Sequence, residues 1–207
     1  MERLPLPGGL VLSDELTGLV LSGGRGRRMG GMDKGLVPYA GRALVLYALE
    51  ALKCHADRIL INANRNLPAY KDLGYPVVSD PDSDFRGPLS GILAGMREAR
   101  TSWMLTVPCD MPKVTGEILS RLTRHPARQD VPLLVAHDGH RLQPLLMLAT
   151  TDLLPSLEDY LDQGGRRVDQ WVERHPHQVV DLSDWRSALV NFNDFAALDA
   201  PVSELHD

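Results

Sequence analysis

Apolar residues along this chain fall into two kinds of run. Short continuous blocks, Gly18-Leu19-Val20-Leu21-Ser22, Arg58-Ile59-Leu60-Ile61-Asn62, Pro76-Val77-Val78-Ser79 and Trp103-Met104-Leu105-Thr106-Val107, each stop at polar, glycine or proline residues. Blocks of that kind read as strands covered on both faces. Between them the spacing changes. Leu44, Tyr47, Ala48, Ala51 and Leu52 recur every three or four positions, the apolar stripe of a helix over residues 43–54. Gly87-Pro88-Leu89-Ser90-Gly91 opens another helix that runs to about Ala99, with proline near the first helical position, where a missing N–H costs little. Later residues predict a helix near 114–124, strands at 132–136 and 143–148, and helical segments near 152–161, 166–174 and from Asp194.

Strand and helix therefore alternate through the first half, which predicts an α/β chain with a mostly parallel sheet and helices on both faces. Ligands of such sheets bind beyond the carboxyl ends of the strands. Four early strands end there in polar or glycine-rich sequence: Ser22-Gly23-Gly24, Asn62-Ala63-Asn64, Ser79-Asp80 and Pro108-Cys109-Asp110.

Composition narrows the class without naming a chemistry. The 207 residues are 43% hydrophobic and 24% charged, values of an ordinary globule with one domain's worth of core. A net charge of −5 argues against a general nucleic-acid binder. Two distant cysteines, Cys54 and Cys109, form no metal-type pair, and the seven histidines are scattered without a His-Glu-x-x-His motif. No apolar run approaches the roughly 18 residues of a membrane span, and the N-terminus lacks the pattern of a secretion signal. A cytoplasmic monomer with no nucleic-acid or membrane partner is expected.

The most informative segment follows the first strand: Leu21-Ser22-Gly23-Gly24-Arg25-Gly26-Arg27-Arg28-Met29-Gly30-Gly31-Met32-Asp33-Lys34. It holds five glycines, and its four cations against one acid give a local charge of 4 − 1 = +3 inside an acidic chain. Glycines let backbone N–H groups close around phosphate oxygens. Two familiar phosphate loops are excluded. Met29 stands where the dinucleotide motif Gly-x-Gly-x-x-Gly needs its last glycine, and Lys34 lies between Asp33 and Gly35, not in a Gly-Lys-Ser/Thr sequence.

This loop resembles the Leu-Ala-Gly-Gly-x-x-x-Arg-Met signature of nucleotidyltransferases. Arg27-Arg28-Met29-Gly30-Gly31-Met32-Asp33-Lys34-Gly35-Leu36 is similar to its form in molybdenum cofactor guanylyltransferases. The likeness continues through Asn62-Ala63-Asn64-Arg65, Gly87-Pro88-Leu89-Ser90-Gly91, Pro108-Cys109-Asp110-Met111-Pro112, Gly164-Gly165-Arg166-Arg167 and Val190-Asn191-Phe192-Asn193, over about residues 17–199. Ser22 stands where that family usually has alanine, and Asp194-Phe195 replaces its Thr-Pro.

The resemblance implies a single-domain, Rossmann-like three-layer nucleotidyltransferase fold over residues 17–200. Its first half would bind NTP and its second half the acceptor, with 1–16 an N-terminal extension and 201–207 a tail. It implies transfer of GMP from MgGTP to the terminal phosphate of molybdopterin. A helper protein and acceptor molybdoenzymes are implied as partners. Lys34, Arg28 and Asp110 would be catalytic. Lys34 would serve the triphosphate and Arg28 the departing pyrophosphate, with Arg25 and Arg27 raising the local potential. Asp110 would hold Mg2+, its alternative being the cap of a following helix. Leu21, Ser22, Gly23, Gly24, Asn62 and Asp80 would complete the nucleotide site, and Arg166, Arg167, Asn191 and Asn193 would meet the acceptor. Trp171, four residues after Arg167, would share its face on a helix, where it could stack on a pterin, core packing being the favoured role. Cys109 is read as packing. Spacing alone leaves open a transferase using CTP or another NTP on a pterin or sugar phosphate, and a non-catalytic nucleotide-binding regulator.

Overall fold

The chain alternates as the apolar blocks predict. The computed structural model describes residues 16–23, 33–81, 87–125 and 131–191. They form β1 (Leu16–Leu21), β2 (Pro38–Tyr39), β3 (Arg42–Ala43), α1 (Leu44–Leu52), β4 (Arg58–Asn62) and α2 (Leu67–Lys71). There follow β5 (Val77–Val78), α3 (Pro88–Glu98), β6 (Trp103–Pro108), α4 (Gly116–Thr123), β7 (Leu133–His137) and β8 (Leu142–Thr150). Helices α5 (Leu154–Asp162) and α6 (Val168–Val172) and strand β9 (His177–Asp181) complete the set, with 3-10 turns at Lys34–Leu36, Thr151–Leu153 and Ser183–Leu189. The expected N-terminal extension, C-terminal tail and helix from Asp194 lie almost wholly outside the described residues, apart from Leu16, which opens β1.

Seven strands make one sheet in the order β5-β4-β1-β6-β8-β7-β9. Pairings β5–β4, β4–β1 and β1–β6 are parallel, as is β7–β9. Strand β8 runs antiparallel to β6 and β7, so it alone reverses a mostly parallel sheet. The reason is length. Residues 138–141 between β7 and β8 suffice for a hairpin and are far too few for a parallel crossover.

Both faces of the sheet are covered, which makes three layers. Val20, Ile61, Leu105 and Val107 pack with α1 and α4 residues such as Leu49, Leu52, Ile118 and Leu122. Leu19, Leu60 and Met104 point the other way, onto α3, α5 and α6 through Ile92, Leu157 and Trp171. Alternate residues of one strand thus feed opposite cores, which is why these strands are apolar throughout. Each such fully buried side chain contributes about 1.5–3 kcal/mol. The β2–β3 hairpin, α2 and β9 carry no such apolar run and escaped the sequence reading. Among the described residues, no helix is long and apolar enough to cross a membrane.

Candidate active site

From β1 the chain moves outward through β4 and β5, then returns to β6 on the other side of β1. Connections leaving β1 and β6 diverge there, and a crevice opens at their carboxyl ends. Ser22 follows β1, its N–H donating to the Asn62 carbonyl at 2.9 Å, and the Cys109 N–H donates to the Leu21 carbonyl at 3.1 Å. These bonds prolong the sheet by one residue and fix where Asp110 emerges. Lys34, on the 3-10 turn after the glycine–arginine loop, donates its Nζ to Asp110 Oδ2 at 2.6 Å. The side chains are 24% and 16% exposed, so the charges are largely sheltered yet within reach of a ligand. Asp110 caps no helix, because α4 begins six residues later, behind its N-cap Thr115.

A second polar unit sits at the ends of β4 and β5. Asn62 is 2% exposed. Its Nδ2 donates to Asp80 Oδ1 at 2.9 Å and to the Val78 carbonyl at 3.3 Å, while the Asp80 N–H donates to Asn64 Oδ1 at 2.8 Å. Burial pushes the Asp80 carboxyl above its usual range, with bonds from Asn62 and Asn64 partly opposing. The Asn62 amide is gripped between two glycines. A Cβ at Gly23 would lie 2.5 Å from its Oδ1, and one at Gly91, in the first turns of α3, only 2.3 Å away. Both glycines are therefore required by close approach.

Beneath Lys34, Tyr70 of α2 is fully buried and donates its hydroxyl to Asp33 Oδ1 at 2.6 Å. Asn66 Nδ2 donates to Asp33 Oδ2 at 3.1 Å. Burial, then the Asp33 carboxylate, holds the Tyr70 hydroxyl far above its usual range. Nothing in the sequence pattern singles out Tyr70 or Asn66, since α2 is five residues long and has no periodic face to read. Cys109 is buried, and burial, followed by the adjacent Asp110 charge, pushes its thiol up to about 12. It is a packing residue, as expected, and not a thiolate nucleophile.

The remaining expected site residues fare unevenly. Gly24, Arg25, Arg27, Arg28 and Asn193 lie outside the described residues. Arg166 donates Nη1 to the Leu161 and Gly165 carbonyls at 3.2 and 2.6 Å, folding back on its own loop. That loop borders the start of α3, because a Cβ at Gly87 would sit 3.8 Å from the Arg166 carbonyl. Arg167 pairs with Asp169, its Nε 3.1 Å from Oδ1. The expected shared face with Trp171 is corrected. Arg167 is the extended N-cap of α6, so it stays in solvent while Trp171 is wholly buried in the core. Asn191 retains a buried Oδ1 with no hydrogen-bond partner.

Comparison with known proteins gives this arrangement a lineage. The model of the MobA-like NTP transferase domain matches residues 18–179. This chain belongs to the MobA-like NTP transferase family. A molybdenum cofactor guanylyltransferase of Cupriavidus metallidurans is 40% identical over 200 residues, covering 94% of this chain and 98% of that protein. One of Ralstonia nicotianae is 41% identical over 198 residues, covering 91% and 97%. Among solved structures, molybdopterin-guanine dinucleotide biosynthesis protein A of Archaeoglobus fulgidus has a TM-score of 0.72 at 24% identity, covering 88% of this chain and 94% of that one. The 2-C-methyl-D-erythritol 4-phosphate cytidylyltransferase of Thermus thermophilus has a TM-score of 0.65 at 14% identity, covering 87% and 94%. At such identities the two structures speak for the shared fold.

Proposed function

We propose that this family member transfers GMP from MgGTP to the terminal phosphate of molybdopterin bearing molybdenum. The products are the guanine dinucleotide cofactor and pyrophosphate. The observation that carries the reading is the Lys34–Asp110 pair at 2.6 Å, set at the carboxyl ends of β1 and β6 beside the glycine–arginine loop. The name shared by relatives about 40% identical over nearly their whole length supports guanine and the molybdopterin acceptor. We assign catalysis to one domain over residues 17–200 in the cytoplasm, with the nucleotide on the first half.

The donor set suits Mg2+. Among the described residues, no group of three or more His, Cys, Asp or Glu side chains could enclose a metal. Asp110 instead offers one carboxylate at a strand end, already drawing the Lys34 ammonium in the metal's place. Mg2+ takes one or two protein carboxylates and completes its shell with phosphate oxygens and water. Bound there, it would neutralise charge on the triphosphate.

The chain's own groups do the rest. Gly23 and Gly24 offer backbone N–H groups to the phosphates. Lys34, released from Asp110, meets them as a point charge, and Arg28 meets the leaving pyrophosphate. Asn62 and Asp80 hold the nucleoside in one orientation. The acceptor's terminal phosphate has its second pKa near ~6 and is largely dianionic at neutral pH, so no general base is needed. One of its oxygens forms a bond to the α-phosphorus as the bond to the bridging oxygen of the β-phosphate breaks. Alignment and charge stabilisation supply the rate. Arg166, Arg167, Asn191 and Asn193 are assigned to the acceptor, the unpartnered Asn191 amide oxygen supporting that choice.

Thermal denaturation with GTP, CTP, ATP or UTP plus magnesium tests the nucleotide, because a ligand that prefers the native state raises its midpoint. GTP is expected to give the largest rise, and molybdopterin-dependent pyrophosphate release should follow it. A larger rise with CTP would overturn the guanine assignment, and absence of pyrophosphate release would overturn the transfer.

A further inference from the structure

Asp33 is a carboxylate one residue from Lys34, in the turn that would face a triphosphate. Left free it would repel the phosphates and compete with Asp110 for the ammonium. Both of its oxygens are instead occupied from below, Oδ1 by the Tyr70 hydroxyl at 2.6 Å and Oδ2 by Asn66 Nδ2 at 3.1 Å. We propose that Tyr70 and Asn66 are positioning residues for nucleotide transfer: by clamping Asp33 they set the Lys34 turn and keep this second carboxylate away from the triphosphate. The inference rests on the nucleotide-transfer reading, and it is independent of which base is used.

Three features of the fold point this way. The turn rests directly on the tyrosine, since a Cβ at Gly35 would lie 2.4 Å from Tyr70 Oη and 3.0 Å from Ser22 Oγ. The Asp33 carbonyl accepts the Leu36 N–H at 3.0 Å and the Lys34 carbonyl accepts the Val37 N–H at 3.2 Å. A clamp on Asp33 therefore fixes the backbone from which Lys34 reaches Asp110. Second, Asn66 is the N-cap residue of α2 but makes no cap hydrogen bond there. An N-cap Asn ordinarily accepts from its own helix, whereas this one spends its amide on a residue 33 positions away. Third, Asn66 stands at φ +48°, a left-handed conformation that asparagine tolerates better than most residues, and one that persists where surroundings enforce it. Burial keeps Tyr70 protonated and hence always a donor.

A double-mutant cycle of Tyr70→Phe and Asp33→Asn tests this, reading kcat and KM for the nucleoside triphosphate at a temperature where every variant is folded. Tyr70→Phe should raise KM and lower kcat/KM about tenfold, because the unclamped carboxylate turns toward Lys34 and the phosphates. In the Asp33→Asn background the same change should cost less than about threefold, since no charge is left to restrain. An equal loss in both backgrounds, or a fall in melting temperature with kcat/KM intact, would overturn the proposal. Asn66→Gly keeps the left-handed backbone and removes only the amide, which covers the case in which Tyr70→Phe does not fold. It should raise KM several-fold, and an unchanged KM would refute the clamp. A native enzyme that turns over no nucleoside triphosphate would instead sink the functional reading, a result distinct from active enzyme with indifferent variants.

Discussion

Gly91→Ala is a sharp probe of the proposed nucleotide site, because two opposing effects can be weighed from the structure. Alanine in a helix is favoured over glycine by about 1 kcal/mol, so propensity alone would stabilise α3. The added methyl would sit 2.3 Å from Asn62 Oδ1 and 2.7 Å from its Cγ, about an ångström inside contact. Asn62 has nowhere to go. Gly23 closes the other side of its amide, and its Nδ2 is held by Asp80 at 2.9 Å. Overpacking of this kind costs roughly 1–3 kcal/mol, and losing a hydrogen bond to the half-buried Asp80 carboxylate costs roughly 1.5–3 kcal/mol more. The net is a loss of about 1.5–5 kcal/mol. In a chain of 207 residues that corresponds to a melting temperature lowered by about 3–20 °C. Differential scanning calorimetry measures the loss, and a GTP titration should show at least a tenfold weaker Kd. The sign should reverse in an Asn62→Ala background, where the amide that the methyl strikes is gone and helix propensity prevails. A Gly91→Ala protein that melts higher than the native one, or binds GTP as well, would refute the wedged amide.

Asp110→Ala should lower transferase activity at least 100-fold while moving the melting temperature by only a few degrees, since an ion pair that still reaches solvent contributes about 1 kcal/mol; pyrophosphate release and calorimetry on one preparation separate the two. Alkylation followed by mass spectrometry should find one modified thiol in the folded protein, the exposed Cys54, and two after denaturation, because Cys109 is buried with its thiol raised to about 12. Asp138 is buried, which acts to raise its pKa, but the Arg141 and His140 N–H groups and the Gln143 amide outweigh burial and hold it at about 2. A depressed carboxyl stabilises the fold above its unfolded value of about 3.9 and stops doing so as pH falls toward 2. Guanidinium denaturation should therefore show native protein more stable than Asp138→Asn at pH 6, with the gap closing near pH 2.

Much of the fold was legible because burial leaves a local record. A strand covered on both faces is apolar along most of its length, so β1, β4 and β6 announce themselves, and the stripe from Leu44 to Leu52 announces α1. Gly23, Asn62, Asp80 and Asp110 were also within reach, because an α/β sheet presents the carboxyl ends of its strands to ligands. Arg167 and Trp171 were misjudged as face-mates because a spacing of four implies a shared face only inside a helix, and Arg167 stands at its extended cap.

Charge, glycine and apolar periodicity along the chain determined the class of fold and singled out the loop proposed to bind phosphate, since these depend on neighbours within a turn or a strand. Only the tertiary structure decided that Lys34 would find Asp110 across 76 residues, that β8 would run against its neighbours, and that Tyr70 would rise beneath Asp33. Such contacts depend on which strands lie side by side and how long their connections are, and a linear pattern of burial carries no record of either.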